Sequence, residues 1–219
     1  MTGTLNSQLL NLACGLFLLT AIGVLWRREL SALIALLTVQ GLALTGIAVL
    51  LAVEDRSGEA AAVAVGVGLL KAGLLPWLLR RVLAQVPGAR ETAPLVNVSA
   101  SMLAAAVLVL LAYAAARPLV DLAPAATARA APVGIAVVLV GFFLAATRRR
   151  AISQIVGVLL IDNGIAAVAF LATGGVPLVV ELGVSADLLL AVLVLQVLTT
   201  RLHAAFGDTD LDELRELHD

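Results

Sequence analysis

Apolar runs of about 20 residues, each closed by a short polar turn, follow one another along this chain. A helix needs that length to cross a hydrocarbon core roughly 30 Å thick. The sequence is 62 % hydrophobic and 13 % charged, whereas soluble domains are about half apolar and about a quarter charged. Water is therefore not the main solvent. The chain reads as an all-α polytopic membrane bundle, rich in Ala, Leu, Val and Gly and only 4 % aromatic, a composition suited to tightly packed membrane helices.

Seven transmembrane helices are predicted: Leu5–Trp26, Leu30–Val53, Ala60–Val82, Pro94–Ala116, Pro132–Thr147, Ala151–Ala172 and Pro177–Leu202. The turn charges fit this number. Arg27, Arg28, Arg80, Arg81, Arg90, Arg148, Arg149, Arg150, Arg201 and Arg215 fall on one side, against Arg56, Arg117 and Arg129 on the other. The positive-inside rule then predicts a multi-pass protein of the cell (inner) membrane with its N-terminus outside and its C-terminus cytoplasmic. Met1–Gln8 has no basic residue and the first run ends at Trp26-Arg27-Arg28, so no cleaved signal peptide is expected.

Two stretches resemble each other: RRELSALIALLTVQGLALTGIAVL from Arg27 and RRRAISQIVGVLLIDNGIAAVAFL from Arg148. With Arg28 set on Arg150, Gln40 falls opposite Asp162, both intervals being 12 residues. Each stretch follows one span and precedes another with a mid-span charge, Lys71 or Asp187. The expected organisation is two parallel three-helix repeats, residues 1–83 and 132–203, with a linking helix and loops at 84–131 and an acidic tail at 204–219. The linking helix restores the orientation that an odd number of spans would invert.

Lys71 lies near the middle of its span, in VGVGLLKAGLLPWLLRR. A central Lys or Asp costs about 2.5–3.5 kcal/mol on insertion scales, so it persists only where it faces protein or water and has partners. Asp162, Glu181 and Asp187 add to that cost. Relief is available locally: Pro76 cannot donate to the Ala72 carbonyl, and Gly66, Gly68 and Gly73 offer close helix approach or room for water. A buried lysine and buried acids can pass protons along a hydrogen-bonded chain, with Gln40 and Asn163 as supporting polar groups. The same residues also suit plainer roles. Lys71 fits a structural ion pair, Asp162 and Asn163 interhelical hydrogen bonds, and Glu181 an acid at the interface. Gln40, Gln154 and Gln196 fit packing contacts.

Other chemistry is excluded more simply. One cysteine, Cys14, builds neither a disulfide nor an iron–sulfur site, and it fits plain helix packing. His203 and His218 follow the last span, so no haem, metal or other cofactor is expected. A net charge of −1 implies no nucleic-acid partner. The tail GDTDLDELRELHD pairs an Asp210 cap and Glu213 with a Leu211, Leu214, Leu217 stripe. It suits either a solvated flap or a cytoplasmic docking element.

LLKAGLLPWLL around Lys71, RRRAISQIVGVLLIDNG around Asp162, PLVVELGVSADLLLAVLV around Glu181 and Asp187, and the ending GDTDLDELREL together resemble component E of hydrogenase-4. That protein is a membrane subunit of group 4 [NiFe]-hydrogenase complexes, and the likeness covers nearly the whole chain. Each three-span unit also resembles the K subunit of complex I, which carries membrane glutamates in its second and third helices. Asp162 takes the first of those positions in the second unit and Asp187 approximates the second, whereas Gln40 and Lys71 depart from them in the first. The resemblance implies a non-redox subunit of a membrane arm that couples electron transfer elsewhere to proton or sodium movement. Its expected partners are antiporter-like and proximal membrane subunits, the lipid bilayer and, indirectly, peripheral hydrogenase-type subunits. A purely structural scaffold of the same arm and an independent antiporter component are the alternatives.

Overall fold

The computed structural model describes residues 2–56, 58–84, 95–122 and 126–175. Helix α1 covers Thr2–Trp26 and α2 covers Leu30–Asp55. The third crossing is built from α3 (Gly58–Val67), a π-helical turn (Gly68–Leu74) and α4 (Leu75–Leu83). Helix α5 (Val98–Ala115) is followed by the short α6 (Arg117–Leu122) and a 3₁₀ turn at Ala126–Ala130. The turn leads into α7 (Ala131–Thr147), and α8 covers Ala151–Thr173. No strand occurs among the described residues. Six helical stretches there are long and apolar enough to cross a membrane. The predicted seventh span, with Glu181, Asp187, Gln196 and the acidic tail, lies outside the described residues.

Each helix selects a buried face from a sequence that is apolar all round. In α1 the buried set is Leu10, Cys14, Phe17, Thr20, Ala21, Val24 and Leu25, at helical spacing, while Leu5, Leu9, Leu12, Leu16 and Leu19 are exposed. Helix α8 is the most enclosed, packing against α7, α2 and the 3₁₀ turn. Helix α5 is peripheral and buries only the small residues Ser101, Ala105 and Ala112. Its predicted start at Pro94 moves to Val98, because the Asn97 side chain accepts a 2.8 Å hydrogen bond from the Ala100 N–H and caps the helix.

Lipid tails are as apolar as leucine, so helices associate through close packing rather than hydrophobic expulsion. The α7–α8 pair achieves this with glycine. A Cβ on Gly134 would lie 2.8 Å from the Gly164 carbonyl oxygen, and one on Gly164 would lie 2.8 Å from the Gly134 carbonyl oxygen. Gly157 meets the backbone of Ala145 and Gly141 that of Ile161 in the same way. In the third crossing only part of the expectation holds. Gly68 seats Thr45 of α2, whereas Gly66 and Gly73 have nothing within 4 Å of a built Cβ.

The third crossing also departs from a plain helix. Its Leu75 N–H bonds to the Leu70 carbonyl, five residues back, in the wide π pattern. Pro76 follows directly and has no N–H to continue a regular ladder. Helix α2 meets this widened turn at Gly41, where a Cβ would lie 2.7 Å from the Lys71 carbonyl oxygen.

These contacts predict opposite outcomes for substitutions at two kinds of glycine. Gly157→Val and Gly164→Val should each destabilise the detergent-solubilised protein by about 1–3 kcal/mol, the usual cost of overpacking. Gly15→Ala, with nothing within 4 Å, should be neutral or slightly stabilising. Thermal unfolding of the three variants in one detergent checks this.

Candidate functional site: a buried polar layer

The site lies where α2, the π turn and α8 meet. Lys71 Nζ donates to Asp162 Oδ2 at 2.7 Å. From the next residue of α8, Asn163 Nδ2 donates to Gln40 Oε1 at 3.1 Å. All four residues are buried, Lys71 to 2 %, Asp162 to 5 %, Gln40 to 1 % and Asn163 to 3 % exposure. Gln40 lies near the middle of α2, Asp162 near the middle of α8 and Lys71 near the middle of the third crossing. At 1.5 Å per residue, that is about 15 Å into a core roughly 30 Å thick.

Sequence position and local backbone together create this meeting. Gly41 lets the π turn lie against α2, and Thr45, whose hydroxyl is tied to the Gly41 carbonyl at 2.8 Å, packs on Gly68. The turn holds the Lys71 backbone against α2 while its long side chain reaches the α8 carboxylate. The pairing spans 91 residues of sequence. Two charges held this way neutralise each other in a low-dielectric setting, and the adjoining Gln40–Asn163 bond extends the polar layer without adding net charge. Such an arrangement can act as an interhelical lock, or as part of a hydrogen-bonded path for a charge.

Of the residues expected to cooperate, Lys71, Asp162, Gln40 and Asn163 therefore come together, and Glu181 and Asp187 lie outside the described residues. Cys14 sits at 3 % exposure in the apolar core cluster, consistent with packing. Among the described residues, no group of three or more His, Cys, Asp or Glu side chains is placed to hold a metal ion.

The sequence places Arg148 among the loop charges, whereas the structure holds it inside. It is 5 % exposed, and its Nη2 donates to the carbonyls of Leu25 at 3.0 Å and Arg27 at 3.2 Å. The guanidinium thus caps the C-terminal end of α1, where unpaired carbonyls and the negative pole of the helix favour a cation. It also brings the Arg27–Arg28 and Arg148–Arg150 turns to one end of the bundle. The sequence signal was its place: Arg148 follows the last residue of an apolar span directly, before two further arginines.

No protein-family model matches the chain, and no solved structure matches it. It is 48 % identical over 214 residues to the uncharacterized protein Rv0085 of Mycobacterium tuberculosis, with 97 % of each chain covered. The chain belongs to that protein's family. Coverage of 97 % on both sides extends the likeness through both polar turns, the buried layer and nearly all of the chain beyond Gly175.

Two outcomes are expected at the site. Lys71→Met leaves a carboxylate buried without its cation and should destabilise the protein by about 3–5 kcal/mol, whereas Lys71→Met with Asp162→Leu should recover most of that loss. Arg148→Ala should cost about 1.5–3 kcal/mol, the range for hydrogen bonds to a charged group, and Arg148→Lys should recover only part because its ammonium lacks the fork. Thermal unfolding in mild detergent reads both series.

Proposed function

We propose that this chain is a non-redox membrane-arm subunit of a hydrogenase-4-like complex related to complex I. It contributes buried charged residues to proton or sodium translocation coupled to electron transfer in its partner subunits. The observation that carries the reading is the Lys71–Asp162 ion pair at mid-membrane depth. Intramembrane ionisable residues are costly and commonly mark ion paths. Two of the segments that resemble the family, around Lys71 and around Asp162, meet at that pair. In this reading Lys71, Asp162, Glu181 and Asp187 form the polar line, with Gln40 and Asn163 in support.

The architecture of the proposal is seven spans in the cell membrane, N-terminus outside, as two parallel three-span units joined by α5. Supporting it, α1 pairs with α2 as α7 pairs with α8, and α2 and α8 also touch each other. Arg148 bonding to the Leu25 and Arg27 carbonyls is what a parallel pair of units requires, since both arginine turns must share one side.

One observation favours a second reading. Lys71 and Asp162 neutralise each other within the chain, which suits a structural scaffold that holds neighbouring subunits without moving charge. The decisive experiment begins with the tagged chain extracted from its native membrane in mild detergent, its companions identified by mass spectrometry. Antiporter-like subunits together with a [NiFe]-hydrogenase-type large subunit are expected. Recovery of the chain alone, stable and monodisperse, would overturn the subunit reading. In the assembled complex, Asp187→Asn should leave composition unchanged and reduce coupled ion movement in proteoliposomes, whereas unaltered pumping would leave the scaffold as the answer.

A further inference from the structure

Among the described crossings, α5 is the one the bundle covers least. Its start lies beside the end of α7, where the Leu95 N–H donates to the Thr147 carbonyl at 3.1 Å. Eighteen residues of helix, about 27 Å, carry it to the opposite face of a core roughly 30 Å thick. There α6 follows, and the 3₁₀ turn leads back into α7. These elements enclose a cavity of about 470 Å³ whose lining includes Leu110, Tyr113, Arg117, Asp121, Arg129 and Pro132. Small-molecule sites span about 300–1,000 Å³.

The charges at this cavity are not matched within the chain. Arg117 and Asp121 stand one turn apart on α6, and Arg129 comes from the 3₁₀ turn. That turn is held firmly, since the Thr127 hydroxyl donates to the Leu171 carbonyl of α8 at 2.8 Å and Ala128 is buried. Arg117, Asp121 and Arg129 have no ion pair or side-chain hydrogen bond among the described residues.

Two guanidiniums and one carboxylate select a ligand by its charge pattern. Phosphodiester oxygens fit the guanidinium fork. The carboxylate disfavours a second negative group and accepts hydrogen bonds from a primary ammonium, which has three N–H donors. A phosphate and an ammonium joined by a short link answer all three side chains. The exposed face of α5 supplies the remaining feature. Leu103, Val107 and Leu110 are exposed at i, i+4 and i+7, a single stripe that runs along the helix into the cavity. In a bilayer that stripe takes an acyl chain. Tyr113, also exposed, suits the level of the headgroups.

We propose that this cavity seats the headgroup of a phospholipid whose phosphodiester carries a primary ammonium, as in phosphatidylethanolamine. Arg117 and Arg129 take the phosphate, Asp121 takes the ammonium, and one acyl chain lies along Leu103, Val107 and Leu110. Soluble phosphoethanolamine shares the headgroup chemistry but has nothing to lay on the stripe, so the source is lipid. The bound lipid joins α5, α6 and the 3₁₀ turn at the least covered edge of the bundle. Such a seat serves a translocating subunit and a scaffold alike.

The full chain, purified in mild detergent, is titrated with phosphatidylethanolamine, phosphatidylglycerol or phosphatidylcholine of identical acyl chains, and bound lipid is counted by native mass spectrometry. Phosphatidylethanolamine is expected to bind the unaltered chain about fivefold more tightly than either of the others. Arg117→Gln combined with Arg129→Gln should weaken all three by about tenfold. Asp121→Asn should erase the preference over phosphatidylglycerol. All three side chains are exposed, so the lipid-free variants should keep the thermal midpoint of the unaltered chain. Equal binding of the three lipids by the unaltered chain would mean a general bilayer contact and would overturn the proposal. Full-strength phosphatidylethanolamine binding by the double arginine variant would overturn it too. Displacement of the lipid by an equal concentration of soluble phosphoethanolamine would assign the cavity to the free zwitterion and overturn the lipid source.

Discussion

An ammonium and a carboxylate 2.7 Å apart at the centre of the bundle set the terms for everything around them. Either charge alone at that depth costs about 2.5–3.5 kcal/mol on insertion scales. Together they cancel the long-range field and leave a short directional bond, which demands accurate placement of two helices. The third crossing must bring Lys71 to α8 while passing beside α2. The π turn, the bare backbone at Gly41 and the Thr45–Gly68 contact are the means by which it does so. The Gln40–Asn163 bond then fixes α2 against α8 in the same layer.

Precision of that kind depends on close packing elsewhere. With no hydrophobic force to press helices together in lipid, α7 and α8 approach until glycine meets backbone, at Gly134, Gly141, Gly157 and Gly164. The contact runs most of the length of both helices and leaves α8 little freedom to slide. Arg148 adds a second constraint at one end, tying the start of the α8 turn to the last carbonyls of α1. Asp162 is therefore presented from the most firmly held helix of the bundle. Lys71 comes from a crossing whose backbone is locally unwound.

That difference bears on the proposed role. A path for protons needs groups of matched but unequal character, some holding charge and others exchanging it. A salt-bridged acid on a rigid helix suits the first duty. The family likeness to Rv0085 extends over nearly the whole chain.

Much of this organisation was legible from residue order. The lengths of the apolar runs determined the crossings, because hydrocarbon thickness fixes how many residues a helix needs. Lys71 and Asp162 were recognisable as buried partners of something, since a mid-span charge has no cheap alternative. Their meeting with each other was not legible. Nothing in the spacing of α1 reveals that Phe17 is buried and Leu16 exposed, because both faces of a membrane helix are apolar and periodicity loses its meaning there. The buried Arg148, the π turn ahead of Pro76 and the choice of Gly68 over Gly66 as a contact arise from separate helices finding one shared packing. Sequence alone determined that this chain crosses a membrane carrying charges it must satisfy. Tertiary structure decided which groups satisfy them, because in lipid the geometry of close contact, and not hydrophobicity, selects which faces meet.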